Sequence, residues 1–197
     1  MQIIRQSSFR TTPWKNGGGV THEAVRVPAD GAIFRWRVSV ATIAASGPFS
    51  DFSGYRRFMV LLAGAGVELR FADGTRASLR EVGALIAFDG GLAAHCELWA
   101  GECTDLNLMV SAALPAPRVR VLRLTGALAL DAAAQDSLLI FAIGGAVGVA
   151  HAGGGREILA PWDLALATTA ADGAVSLTSV DELSPAQVFV ANLSDTA

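Results

Sequence analysis

Cysteine occurs only twice in this 197-residue sequence, as Cys96 and Cys103. Their separation fits neither a CxxC redox pair nor a zinc knuckle. Reduced thiols are expected, with a bridge between neighbouring strands as the minor alternative. Histidine is nearly as scarce: His22, His95 and His151 are too far apart along the chain to form a chelating pair on one element, so no metal site is expected. A GxSxG nucleophile motif is missing, and no Cys-His pair is implied by order or spacing. Charge is sparse, with 15 lysines and arginines against 18 aspartates and glutamates, a net −3. No basic patch can neutralise a string of phosphates, which argues against a nucleic-acid partner. The longest apolar run, 138–150, has 13 residues and is too short to cross a bilayer of about 30 Å. The start, MQIIRQSSFR, lacks the apolar stretch of a signal peptide. A cytoplasmic protein with no membrane partner is expected.

What is present is apolar: 52% of residues are hydrophobic and only 17% charged, which excludes disorder and provides for a large core. Most apolar segments are short, end at glycine, proline or Asp-Gly, and follow period 2, so the fold class is all-β. Phe34, Trp36, Val38 and Val40 share one strand face, and Arg35, Arg37, Ser39 and Ala41 the other. Val67, Leu69 and Phe71 alternate with Glu68 and Arg70 before Asp73-Gly74, a tight-hairpin signature. Residues 58–63 are apolar without alternation and should be buried on both faces. Helix is limited to about a turn at 131–135.

The two halves of the sequence resemble each other at an offset of 79, through Ala63/Ala142, Gly66/Gly145, Gly74/Gly153, Leu85/Leu164 and Leu98/Leu177. Two similar β barrels follow, with the proline-marked segment 114–117 as the junction. The N-terminal barrel spans 1–114 and carries the ligand pocket; the C-terminal one spans 115–197. Barrel edges and abundant apolar surface leave room for a homodimer.

Three clusters stand out for chemistry. In Trp14-Lys15-Asn16-Gly17-Gly18-Gly19-Val20-Thr21-His22-Glu23, the glycine amides beside Lys15 could hold a carboxylate. The segment reads equally well as a flexible turn. Around Arg37 and the stretch Ser46 to Arg57, Arg37 or Arg56 in a barrel mouth would recognise an acidic molecule through the guanidinium fork, whereas Arg35 and Arg57 are expected to meet solvent. Phe49 and Phe52 read as rim or core aromatics. In Asp105-Leu106-Asn107-Leu108-Met109-Val110, Asp105 and Asn107 share a face that looks buried, and form either a ligand wall or a structural hydrogen-bond network.

Pro13-Trp14-Lys15-Asn16-Gly17-Gly18-Gly19 with Thr21 and Glu23, Trp36-Arg37-Val38-Ser39-Val40-Ala41, Ser46-Gly47-Pro48-Phe49-Ser50 with Phe52 and Gly54, and Asp105-Leu106-Asn107-Leu108-Met109 together resemble the HutD/Ves family. The resemblance covers roughly the first 110 residues. It implies a bicupin, two small antiparallel barrels of jelly-roll-like type packed together, without a cupin metal site or other cofactor. It also implies an association with histidine utilisation, with a proposed role as a ligand-binding regulator and N-formylglutamate as candidate ligand; the Ves branch is tied instead to cold and stress responses. The residues carried over are Trp14, Lys15, Asn16, Gly17, Thr21, Glu23, Arg37, Ser39, Ser50, Arg56, Asp105 and Asn107. The chain departs from the pattern at Asp89-Gly90-Gly91-Leu92, where a second acidic residue is expected, and at Glu97, where a basic one is.

The preferred reading is a binding module for a small acidic ligand. The alternative is a metal-independent isomerase or hydrolase using Glu23 or Asp105 as general base. A partner-binding protein would instead show an exposed apolar patch.

Overall fold

Alternating side chains and short glycine turns leave the chain little choice but antiparallel pairing, and every ladder in the structure is antiparallel. The computed structural model describes residues 1–130, 136–181 and 183–194, so the turn expected at 131–135 lies outside the described residues. Among the described residues the α-helix is a single turn, Thr169–Asp172. No helix is long and apolar enough to cross a membrane.

The chain divides into two compact units, Phe9–Leu114 and Pro115–Ala197 joined by Met1–Ser8. The break falls at the proline-marked junction, but the first eight residues leave the N-terminal range 1–114. Gln2–Ile4 adds an edge strand to Leu164–Thr168 of the C-terminal unit, which moves them there.

Each unit is two sheets around one core. In the N-terminal unit, a six-stranded sheet runs Arg10–Pro13, Gly19–Val27, Trp36–Ile43, Cys103–Ser111, Tyr55–Ala63, Leu85–Asp89. A four-stranded sheet runs Gly47–Pro48, Ala94–Leu98, Val67–Phe71, Arg76–Leu79. The C-terminal unit repeats this order, with Arg118–Leu124, Ala186–Ser194, Asp136–Gly144 and Leu164–Thr168 in one sheet, and Leu128–Leu130, Val175–Ser179, Val147–His151 and Arg156–Leu159 in the other. The duplication is therefore one of topology. Equivalent strands start 79 residues apart at Leu85 and Leu164 but 83 apart at Cys103 and Ala186. Of the sequence pairs, only Leu85/Leu164 coincide; the register pairs Leu177 with Val149 as Cys96 pairs with Leu69, so Leu177 answers Cys96 rather than Leu98.

Strand chemistry explains the burial. Val67, Leu69 and Phe71 point into the N-terminal core beside Met59, Leu61 and Leu79, while Arg70 is exposed. The Asp73-Gly74 turn is closed by Asp73 Oδ1, which accepts from the Thr75 amide at 2.9 Å. Of residues 58–63, Met59, Val60, Leu61 and Leu62 are buried as expected, whereas Phe58 and Ala63 are only half-buried. Both cysteines are buried and unbridged. At Gly66 the backbone has φ +108°, and a Cβ there would lie 2.1 Å from the Leu79 carbonyl oxygen. Gly66→Ala is expected to cost at least about 2 kcal/mol in urea unfolding, from both backbone strain and the clash.

Candidate functional site

The core of the N-terminal unit changes character along its strands. From Ile43, the inward side chains of Trp36–Ile43 run Ala41, Ser39, Arg37; those of Cys103–Ser111 run Asp105, Asn107, Met109; and those of Tyr55–Ala63 run Leu61, Met59, Arg57. Register places these as rows: Ala41, Asp105 and Leu61, then Ser39, Asn107 and Met59, then Arg37, Met109 and Arg57. The apolar filling gives way to a cavity of about 510 Å³. Its wall includes Trp14, Lys15, Asn16, Thr21, Arg37, Ser39, Ser50, Asp105 and Asn107, nine of the residues expected from sequence, together with Phe49, Phe52 and Arg57.

Arg57 was expected in solvent, and the structure corrects this. It is 5% exposed, with its guanidinium carbon 5.0 Å from the Phe88 ring centre, 5.1 Å from Phe49 and 5.4 Å from Phe52. Three ring faces stabilise a cation that has left water. The Asp89-Gly90-Gly91 departure has a local reason. A Cβ on Gly90 would sit 2.6 Å from the Phe52 carbonyl oxygen, and the Phe52 amide donates to the Gly90 oxygen at 2.9 Å. Glycine there lets the Phe52 turn close over Arg57. Glu97, the other departure, pairs at the surface with Arg70 at 2.6 Å.

Asp105 forms the acidic part of the wall and is 2% exposed. Burial pushes its carboxyl up to about 7, against the opposing pull of the Arg57 charge and the Asn107 amide. Burial likewise lowers the Arg57 guanidinium to about 10; Asp105 opposes this and Arg37 reinforces it.

Three expected site residues lie elsewhere. Glu23 faces a smaller cleft of about 210 Å³ with Arg10, Thr12 and Arg26. Its Oε2 accepts from Arg37 Nε at 2.6 Å and Arg26 Nη2 at 2.9 Å. Burial alone would raise its carboxyl, but the Arg26 hydrogen bonds and the Arg37 charge hold it below the usual range. Glu23 is thus a counter-ion that orients Arg37, and a poor general base. Arg56 points away from the cavity and donates to the carbonyls of Ala112, at 2.9 Å, and Leu114. Gly17 belongs to a turn, its amide donating to the Trp14 carbonyl at 3.1 Å, and Gly18 N donates to Asn16 Oδ1 at 3.0 Å. These amides are already engaged, so the glycine run is no open anion nest. What the segment does supply is Trp14, whose Nε1 donates to Thr21 Oγ1 at 2.8 Å, and the exposed Lys15 at the cavity rim. Because Arg56 only braces the 111–114 turn, Arg56→Ala is expected to cost about 1–2 kcal/mol of stability and to leave ligand affinity unchanged, read by urea unfolding and titration calorimetry.

Among the described residues, no three His, Cys, Asp or Glu side chains come together in a way that could hold a metal ion. The polar part of the wall consists of cations, amides and hydroxyls around the single carboxyl of Asp105, set among aromatic and apolar side chains such as Trp14, Phe49, Phe52 and Met109.

The HutD family model matches residues 6–184. The chain belongs to the HutD family. An uncharacterised 21.2 kDa protein in the hutC 3′ region of Pseudomonas putida is 36% identical over 159 residues, 80% of each chain. Protein Ves of Escherichia fergusonii is 32% identical over 109 residues, 55% of this chain and 56% of Ves. Among solved structures, a conserved protein of unknown function from Pseudomonas aeruginosa superposes with a TM-score of 0.88 at 34% identity over 98% of each chain. HutD from Pseudomonas fluorescens, in a formate condition, superposes at 0.78 with 28% identity over 99% of each. An oxalate decarboxylase from Lactobacillus farciminis, at 0.66 and 9% identity over all of this chain and 87% of that one, shares the fold alone. The HutD-family chain is thus a bicupin.

Proposed function

We propose that this HutD-family chain binds a small carboxylate in the cavity of its N-terminal unit, and acts as a regulator of histidine utilisation by holding a pathway intermediate such as N-formylglutamate. The observation that carries the reading is the convergence of Arg37 and the buried Arg57 on one cavity of about 510 Å³, a size suited to a small molecule. Guanidinium groups take a carboxylate through paired N–H donors, and a desolvated site strengthens that attraction. The pathway half of the proposal draws on the gene-context name of the P. putida relative and on the name HutD.

Thermal unfolding against histidine, urocanate, formiminoglutamate, N-formylglutamate, glutamate and formate, each with and without EDTA, tests it. A ligand at a hundredfold over its Kd adds about 2.7 kcal/mol, which for a chain of this size is roughly 5–11 °C. The expected result is a shift of that order for one acid, unaffected by EDTA, lost in Arg37→Ala and kept in Arg56→Ala. No shift across the panel would contradict the reading.

The raised Asp105 carboxyl favours one second reading, a metal-independent enzyme with Asp105 as general base. Turnover of the bound acid, abolished by Asp105→Asn, would decide for it.

A further inference from the structure

We infer that the cavity takes up its acid together with a proton from solvent: as the carboxylate settles on Arg37 and Arg57, Asp105 becomes neutral, so the site responds to pH as well as to the acid. The inference rests on the carboxylate reading and adds the regulation of that site.

The two guanidinium groups stand in different charge surroundings. Arg37 donates to Glu23 Oε2 at 2.6 Å, and the same oxygen accepts from Arg26 Nη2 at 2.9 Å. With Arg26 at hand, Glu23 stays paired when Arg37 serves an acid. Arg57 has no such second cation beside its carboxyl. It is buried, Asp105 is the carboxyl whose charge acts on it, and Arg37 is a like charge nearby. Lys15, the other cation of the wall, is exposed at the rim. An acid on Arg57 therefore puts two carboxylates on one buried guanidinium.

Two carboxylates that share a desolvated site do not both stay ionised at little cost, and the proton goes to the one that is harder to hydrate. That one is Asp105, buried in the wall, where burial already pushes its carboxyl up to about 7 against the pull of Arg57 and Asn107. The acid's charge pushes in the same direction and cancels part of the Arg57 pull. Contact is not needed: Asp105 Oδ2 is fully buried, and the coupling runs through charge. By linkage, acid and proton strengthen each other's binding, so the loaded state depends on both.

The groups around Asp105 leave it as the one that titrates. Across the ladders it pairs with the uncharged Ala41 and Leu61. Arg57 comes from strand Tyr55–Ala63 and Arg37 from strand Trp36–Ile43, both cations. Cys96, from strand Ala94–Leu98, is pushed up to about 12 by burial and stays neutral; Cys103 lies on the strand of Asp105 itself. Among the described residues no histidine lines the cavity. Glu23, across Arg37, is held ionised: burial would raise it, but the Arg26 hydrogen bonds and the Arg37 charge keep it below the usual range.

The test is titration calorimetry with N-formylglutamate at pH 6 and pH 8, the second in both HEPES and Tris, whose different ionisation enthalpies count the protons exchanged. Both carboxyls of this acid stay ionised over that range, so a proton taken up belongs to the protein. Affinity should follow the protonated fraction of Asp105, falling about tenfold from pH 6 to pH 8, with about nine-tenths of a proton taken up per acid at pH 8. Asp105→Asn, neutral at every pH, should bind without proton uptake, lose the pH dependence and exceed the parent's affinity at pH 8. Asp105→Ser, also neutral, serves if that variant fails to fold. Binding with equal affinity at both pH values and no proton uptake would overturn the inference and leave the carboxylate reading standing. Uptake that persists in Asp105→Asn would overturn it as well, because the proton would then sit on another group. No binding at millimolar acid at either pH would contradict the carboxylate reading, and the inference with it.

Discussion

Asp105→Asn is expected to make the protein more stable at pH 8 and to change it little at pH 4. The sign follows from the direction of the shift. Burial raises the Asp105 carboxyl from 3.8 in the unfolded chain to about 7 in the folded one, Arg57 and Asn107 only partly opposing it. Between those values the folded protein binds the extra proton, so stability falls as pH rises through the window. Below it both states are protonated and the penalty vanishes; above it the penalty is complete, on the order of 4 kcal/mol. Asparagine mimics the protonated acid at every pH, so the variant lacks the slope. Urea unfolding of both proteins at pH 4, 6 and 8 should show a difference that grows with pH. A constant difference, or one that shrinks with pH, would mean that Asp105 is not a desolvated carboxyl.

Arg57→Met is expected to weaken binding of the acid by at least about a hundredfold without a comparable loss of stability. Methionine has nearly the length of the arginine stem, and its sulfur packs well against Phe49, Phe52 and Phe88, the rings that now hold the guanidinium. Removing one member of a buried charge pair is costly while the other stays charged, and Asp105 avoids that cost by holding its proton below about pH 7, where the stability comparison is made. The retained carboxyl of Asp105 then loses its cation and titrates still higher. Calorimetry and urea unfolding of Arg57→Met beside Arg56→Ala separate the neighbours: the first should lose the ligand and keep its stability, the second should keep the ligand at a cost of about 1–2 kcal/mol in stability. If Arg57→Met bound as well as the parent, the anion would not sit on Arg57.

The contrast between those neighbours shows where sequence reasoning stops. Period-2 alternation, Asp73-Gly74 and the proline-marked junction carry enough local physics to read an all-β, two-unit chain directly. Edge pairing is not local, which is why the affiliation of Gln2–Ile4 with Leu164–Thr168 escapes such reading. Within the site, Arg37, Ser39, Asp105 and Asn107 are legible because alternation puts polar side chains on one face of otherwise apolar strands, whereas Trp14, in the loop after Arg10–Pro13, and Thr21 are legible from the glycine-run cluster and the family resemblance. Arg56 and Arg57 occupy adjacent positions in a strand buried on both faces, so alternation says they diverge without saying which one enters the cavity. The signal was parity: Arg57 stands in step with Met59 and Leu61, the two members of that strand that fill the core. Glu23 was legible as a site carboxylate but not as a counter-ion, because Arg26 reaches it only after the β-bulge between Glu23 and Val25 shifts the register.

The central claim is that Arg37 and Arg57 receive a carboxylate in the N-terminal cavity, and a crystal structure of the protein soaked with N-formylglutamate tests it most directly. The expected result is a carboxylate within hydrogen-bond distance of both guanidinium groups. A cavity holding only water at saturating acid, or the acid bound elsewhere on the chain, would contradict it.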